Sequence, residues 1–158
     1  MKFILSIIIA SFSFTSCHVS STAKEKPVVK NNEIKKTGID FIEDDWAQAL
    51  KAAKDQNKLV FVDIYATWCG PCKMLKQYTF SDSLVSDFFN KNFINVSIDG
   101  EKGVGPMLAQ QYSIQGYPSL IVADSTGKPV LVTAGYMPAT VLMQFGNEAL
   151  KKGGHAKM

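Results

Sequence analysis

Residues 58–73 read KLVFVDIYATWCGPCK. The first half is a nearly continuous β-branched and aromatic run, the composition of a central strand buried on both faces. One charged residue, Asp63, interrupts it. The second half holds two cysteines, Cys69 and Cys72, with Gly-Pro between them and Trp68 in front. A helix is expected to begin around Cys69, because Pro71 lacks an N–H and suits a first helical turn. The cysteines therefore stand where a strand ending at Tyr65 or Ala66 turns into a helix.

Three chemistries compete for such a pair. A structural zinc site needs four ligands, and a mature chain whose Cys17 is acylated would add only His18 and His155 to Cys69 and Cys72, both in its ends. A structural staple is weak, since closing so short a ring removes little unfolded-chain entropy. Redox chemistry fits the placement. A thiol at a helix N-terminus meets unpaired N–H groups and the positive end of the helix dipole, and both favour the thiolate that attacks disulfides. A free thiol with a pKa near 8.5 is only about 3% ionised at pH 7, whereas one lowered to about 7 is roughly half ionised. Cys69 is expected to be the exposed, attacking sulfur. Cys72, one turn along and more buried, is expected to resolve a mixed disulfide formed at Cys69. Trp68 either packs or forms an apolar wall that a substrate touches.

Asp63 lies six residues before Cys69. A carboxylate in a hydrophobic strand is costly unless it is paired or protonated. Burial would raise its pKa and make it a proton acceptor for Cys72; the alternative is a side chain at a wet edge of the sheet. Its place on the strand feeding the cysteines favours the first. A third element is QGYPSL, residues 115–120. Tyr117-Pro118 directly precedes a strand that must lie inside the sheet, where a proline is awkward. The dipeptide alone gives little ground for a cis bond, but together with CGPC it leads us to expect one. A proline there presents backbone, not side chain, to a partner's extended segment.

Outward from these stretches the pattern alternates. DDWAQALKAAKDQNK (44–58) has helical apolar spacing, with acids first and lysines later. CKMLKQYTF (72–80) and SDSLVSDFFNKN (81–92) read as helical pieces, FINVSID (93–99) as a strand, and GPMLAQQYSI (105–114) as a short helix. SLIVAD and PVLVTAG flank STGK as a hairpin, and PATVLMQFGNEALKK (138–152) closes as an amphipathic helix. The order α-β-α-β-α-β-β-α predicts a three-layer α/β/α domain over residues 39–152, with a mixed central sheet whose early strands are parallel and whose late hairpin is antiparallel.

The 158-residue chain is long enough for one domain plus extras, and its net charge is +3. All 17 basic residues are scattered lysines; the absence of arginine makes nucleic acid a poor candidate partner. Lys2 followed by an apolar run from Phe3 to Phe14 has the profile of a secretory signal over residues 1–16. FTSC (14–17) resembles a lipoprotein cleavage site that would leave Cys17 as a lipid-bearing N-terminus. Ser21-Thr22-Ala23 is a competing ordinary site, and a retained anchor is the third alternative. If Cys17 is acylated, Cys69 and Cys72 are the only free sulfurs of the mature chain. Residues 17–38 are polar and lysine-rich, as a flexible tether would be, and residues 153–158 are expected to fray.

Together these stretches resemble the thioredoxin family. VDIYATWCGPCK resembles its active-site strand and turn, YSIQGYPSLIVAD its cis-proline segment, and TAGYMPA its segment with a glycine near the site, here Gly135. The likeness covers residues 43–151. KQYTFSDSLV (76–85) is similar to the C-terminal thioredoxin-like domain of DsbD, the membrane-spanning thiol:disulfide interchange family. The resemblance implies Cys69 as nucleophile, Cys72 as resolving thiol, Asp63 as buried acid and Pro118 as cis-proline, with Trp68, Gly70, Pro71, Tyr117 and Gly135 facing the substrate. It implies no cofactor and no metal. Two departures stand out. Asn95 occupies the place of a lysine near the buried acid in thioredoxin, so an altered proton relay is expected, and Tyr65 replaces a tryptophan. The expectation is an exported thiol–disulfide oxidoreductase on the periplasmic side of a bacterial membrane, lipid-anchored or soluble, taking electrons from a separate redox partner and reducing protein disulfides. A membrane-tethered binding module with little turnover is the alternative, and copper handling a third. The sequence sets neither net redox direction nor oligomeric state.

Overall fold

The computed structural model describes residues 37–154. The expected signal segment, Cys17, nearly all of the expected tether, and residues 155–158 lie outside them. The described residues form five strands and five α-helices. In chain order these are β1 (Phe41–Glu43), α1 (Trp46–Gln56), β2 (Leu59–Tyr65), α2 (Gly70–Met74), α3 (Ser83–Asn92), β3 (Phe93–Asp99), α4 (Gly105–Gln111), β4 (Ser119–Ala123), β5 (Pro129–Ala134) and α5 (Ala139–Lys152). A π turn, Leu75–Thr79, follows α2 directly.

The strands lie in the order β1-β3-β2-β4-β5. β1 and β2 run parallel to β3, whereas β4 runs antiparallel to both β2 and β5. This is the mixed sheet the alternating pattern predicts. Three central strands are buried almost throughout, which is why they read as continuous apolar runs. β1 is the element the sequence reading lacks. It is only three residues long, half-buried and at the sheet edge, too short for any period to register.

Successive residues of β2 point to opposite faces, and each face carries its own core. Val60, Val62 and Ile64 pack with Trp46, Ala49 and Ala53 of α1 and Leu108 of α4. Leu59 and Phe61 pack with Leu75, Phe80, Phe89 and Leu142 on the other side. There Phe61, Phe89 and Phe93 form an aromatic chain, with ring centroids 4.6 Å and 5.1 Å apart.

Local chemistry sets the helix ends. The Asp45 carboxylate accepts the Gln48 N–H, so α1 starts at Trp46 and not at the acidic pair itself. Asp82 accepts from Leu84 and Val85 at the start of α3. Gly38 is buried and its carbonyl accepts from Asn90, which ties the start of the described chain to α3.

Candidate functional site

Cys69 is the N-cap of α2. Its Sγ accepts the Cys72 N–H at 3.1 Å, satisfying one of the donors that a helix start leaves free. Pro71 sits in the first turn, where its missing N–H costs nothing. The two sulfurs are joined as a disulfide across this turn. Its surroundings are Ala66, Tyr65 and Tyr117.

The expected exposed Cys69 beside a more buried Cys72 is corrected here. Cys69 is 2% exposed and Cys72 3%. In the disulfide both sulfurs turn into the strand-to-helix corner, so neither stands out. Trp68 is the exposed member instead, at 67%. Its indole N–H donates to Glu101 Oε1 at 3.0 Å, and its ring meets Tyr117 edge-on at 6.1 Å. Trp68 is therefore a surface side chain beside Tyr117, which itself packs on the cysteine cluster, and is not part of the core.

The Tyr117–Pro118 peptide bond is cis. The Pro118 carbonyl accepts the Gly135 N–H at 2.8 Å, and this bond extends the β4–β5 pairing towards the site. Gly135 has φ 94°, a left-handed conformation that a side chain disfavours. Gly100 gives room for Tyr117: a Cβ there would come within 2.5 Å of the ring. Gly70 has open space around the position of a Cβ.

Asp63 is 1% exposed, so the wet-edge alternative fails. It shares the face of β2 with Leu59 and Phe61, the face that Leu75 and Phe80 cover from the segment continuing Cys72's helix. Ser97 Oγ donates to Asp63 Oδ2 at 3.3 Å, while Oδ1 has no hydrogen-bond partner among the described residues. Burial pushes the carboxyl up from 3.8 to about 7, against the opposing pull of the Lys76 charge and the Ser97 hydroxyl, with Glu43 adding a smaller upward push.

Asn95, which stands in place of thioredoxin's lysine, makes no hydrogen bond to Asp63. Its amide donates to Asn90 Oδ1 at 3.1 Å and to the Asp40 carbonyl at 3.5 Å. It pairs with Phe61 in the register, whereas Ser97 pairs with Asp63. Ser97, Lys76, Gly100 and Glu101 were not singled out by sequence reading. A signal for Ser97 existed: β2 and β3 are equally long and parallel, so aligning their first residues sets Asp63 opposite Ser97. The others come from turns and helix ends with no period to follow.

The chain ends of β1, β2 and β3 are stitched together beside the site. Gly100 N–H donates to Tyr65 O, and Asp99 N–H to Asp44 Oδ1. Asp99 also pairs with Lys102 at 2.8 Å, and that hydrogen bond holds its carboxyl below the usual range. Among the described residues no three His, Cys, Asp or Glu side chains converge as metal ligands would.

A disulfide-joined cysteine pair at a strand-to-helix corner, packed against the tyrosine that precedes a cis-proline leading into β4, defines a class of protein. The chain belongs to the thioredoxin-like domain family, whose model matches residues 46–150. It is 34% identical over 100 residues to the thiol:disulfide interchange protein DsbD of Pseudoalteromonas atlantica, covering 61% of this chain and 17% of that protein. A thioredoxin-like protein of Synechocystis sp. is 38% identical over 87 residues, covering 55% of this chain and 77% of its own. Among solved structures, a Bacteroides thetaiotaomicron protein provisionally called a disulphide-isomerase is 41% identical, with a TM-score of 0.66 and coverage of 73% of this chain and 95% of that one. The chain thus spans under a fifth of the DsbD relative. No helix among the described residues is long and apolar enough to cross a membrane.

Proposed function

We propose that this chain is an exported thiol–disulfide oxidoreductase, lipid-anchored through Cys17, that reduces disulfides of extracytoplasmic proteins. The observation that carries the reading is the Cys72 N–H on Cys69 Sγ at the start of α2. In the reduced protein the same donor and the helix dipole stabilise a Cys69 thiolate. That thiolate attacks a substrate disulfide, and the first substrate thiolate leaves. Asp63 accepts the Cys72 proton, Cys72 attacks Cys69 Sγ, and the second substrate thiolate leaves as the Cys69–Cys72 bond forms. Two electrons pass to the substrate, and a dithiol of a separate protein returns them.

Trp68, Gly70, Pro71, Tyr117, Pro118 and Gly135 are the substrate contacts in this reading. The exposed indole and Tyr117 offer an apolar rest for a substrate segment. In the same reading the backbone beside Pro118 receives an extended segment. Names of relatives that interchange or isomerise disulfides support the chemistry.

The test is disulfide exchange by the full chain carrying Cys17→Ser, so that only two thiols are read. Wild-type cysteines are expected to accelerate insulin reduction by dithiothreitol, and Cys69→Ser to abolish it. Cys72→Ser is expected to stall a mixed disulfide at Cys69, from which mass spectrometry identifies the partner. Equilibration with glutathione sets the direction; a strongly oxidising potential overturns the reductase version. Labelled palmitate, incorporated by the chain and lost in Cys17→Ser, tests the anchor. A double Cys69→Ser, Cys72→Ser chain that keeps its cellular role would establish the binding-module alternative instead.

A further inference from the structure

Lys76 stands four residues after Cys72, in the π turn. Its Nζ lies over the Tyr65 ring, 3.9 Å from the centroid. Tyr65 in turn packs against Ala66, Cys69 and Cys72. A cation is thus held one aromatic ring away from the cysteine cluster. It forms no salt bridge with any described residue, although Glu43 lines the same groove. The difference matters, because a carboxylate partner would cancel the charge, whereas an aromatic face holds it without neutralising it.

The π turn places the ammonium there. Phe80 N–H reaches back five residues to Leu75 O at 2.8 Å, which inserts an extra residue into the helix just beyond Cys72. Leu75 covers the face of β2 that carries Asp63, and Lys76 follows it immediately. Lys76 also lines a groove of about 200 Å³ with Glu43, Phe41 and Phe80. Asp63 accepts from Ser97 of β3, Tyr65 follows it two residues on along the same face of β2 with Lys76 over its ring, and the charges of Lys76 and Glu43 both act on the carboxyl. Lys76 is the one positive group in that set. Its field opposes the burial that drives the carboxyl towards protonation.

We propose that Lys76 is a positioning residue for disulfide exchange: its ammonium, held over Tyr65, favours the ionised Asp63 carboxylate that takes the Cys72 proton. The inference rests on the oxidoreductase reading above. In the step concerned the Cys72 S–H gives its proton to Asp63. The Cys72 sulfur bonds to Cys69 Sγ as the Cys69–substrate S–S bond breaks. The electron pair leaves with the substrate sulfur, which takes a proton from solvent. Lys76 neither gains nor loses a proton.

The experiment follows resolution of the Cys69–glutathione adduct. Reduced full-length chain carrying Cys17→Ser is mixed with oxidised glutathione, quenched and quantified between about pH 5.5 and 9. In Lys76→Gln the pH midpoint of the resolving step is expected to rise by about half a unit to one unit. That slows resolution roughly three- to tenfold near pH 6 and leaves it unchanged at the alkaline end. Lys76→Arg restores the wild-type profile, and Lys151→Gln, on the far helix, matches it. In an Asp63→Asn background Lys76→Gln has no further effect on the midpoint. Superimposable Lys76→Gln and wild-type profiles overturn the proposal. So does an equal slowing at every pH, which would mark a structural role. Absence of any exchange in the wild type overturns the oxidoreductase reading itself, a result distinguishable from the other two.

Discussion

Ser97 donates its hydroxyl to Asp63 across the β2–β3 pair, at 3.3 Å, and it is the carboxyl's one hydrogen-bond donor among the described residues. A carboxyl so buried and so thinly solvated costs the fold free energy whenever it is charged. In the proposed mechanism that cost provides a proton acceptor titrating near neutrality on the strand that leads into the cysteine pair. The contact therefore joins the stability of the sheet to the chemistry of the site, and the first two predictions follow from it.

Asp63→Asn is expected to stabilise the domain at alkaline pH and not at acid pH. The folded-state pKa is raised from 3.8 to about 7. Below 3.8 the group is protonated in both states and costs nothing; stability is then lost as pH rises to about 7 and changes no further above it. Urea unfolding is expected to show a gain on the order of 1–3 kcal/mol at about pH 8 and almost none near pH 4. An equal gain at both would mean that the carboxyl's charge is not the cause.

Ser97→Ala removes the hydroxyl that favours the charged carboxylate. The Asp63 midpoint, followed by carboxyl carbon NMR, is expected to move further up, by several tenths of a unit to about one unit. The domain is expected to lose about 1 kcal/mol at alkaline pH, where the lost hydrogen bond leaves a buried charge with no partner. A downward movement of the midpoint would contradict the assigned contact.

Gly105→Ala tests how closely α4 approaches the end of β3. A Cβ at Gly105 would lie 1.9 Å from the Asp99 carbonyl oxygen, which is backbone and cannot swing aside. The substitution is expected to destabilise by about 2–4 kcal/mol, read as a lower urea midpoint. Gly70→Ala serves as the contrast. Open space surrounds that position, so its stability is expected to stay within about 0.5 kcal/mol of the parent.

Trp68→Phe keeps an aromatic ring, though a smaller one, and removes the indole N–H that reaches Glu101. Because the side chain is largely exposed, the unfolding midpoint is expected to change little. Insulin reduction is expected to show a KM raised about two- to fivefold with kcat nearly unchanged, the mark of a lost docking contact. A fall in kcat at constant KM would place Trp68 in the chemical step instead.

Much of the site was legible before the structure. Cys69 and Cys72 announce themselves by spacing, and Pro71 explains why a helix starts between them. Asp63 is conspicuous because one charge in an apolar strand demands a reason. β1 was not legible, for three half-buried residues carry no period. The burial of Cys69 is not legible, since a helix start leaves a sulfur free to face outward and only the packed strand-to-helix corner covers it. Asn95 is conspicuous only by comparison with thioredoxin's lysine; the parallel register, which no local pattern shows, sets Ser97 opposite Asp63 and leaves the Asn95 amide to Asn90 of α3 and the Asp40 carbonyl just before β1.

The sequence by itself determined the strand-to-helix turn, the alternating architecture and the cysteine couple. All three are written in local periodicity, in proline and in spacing, which act over a few residues along the chain. Only the tertiary structure decided which groups surround Asp63 and which residues cover the disulfide. Those neighbours come from β1, β3, the π turn and the approach to β4. What brings them together is strand register and helix packing, and no local pattern encodes either, since each depends on burying faces contributed by distant segments at once.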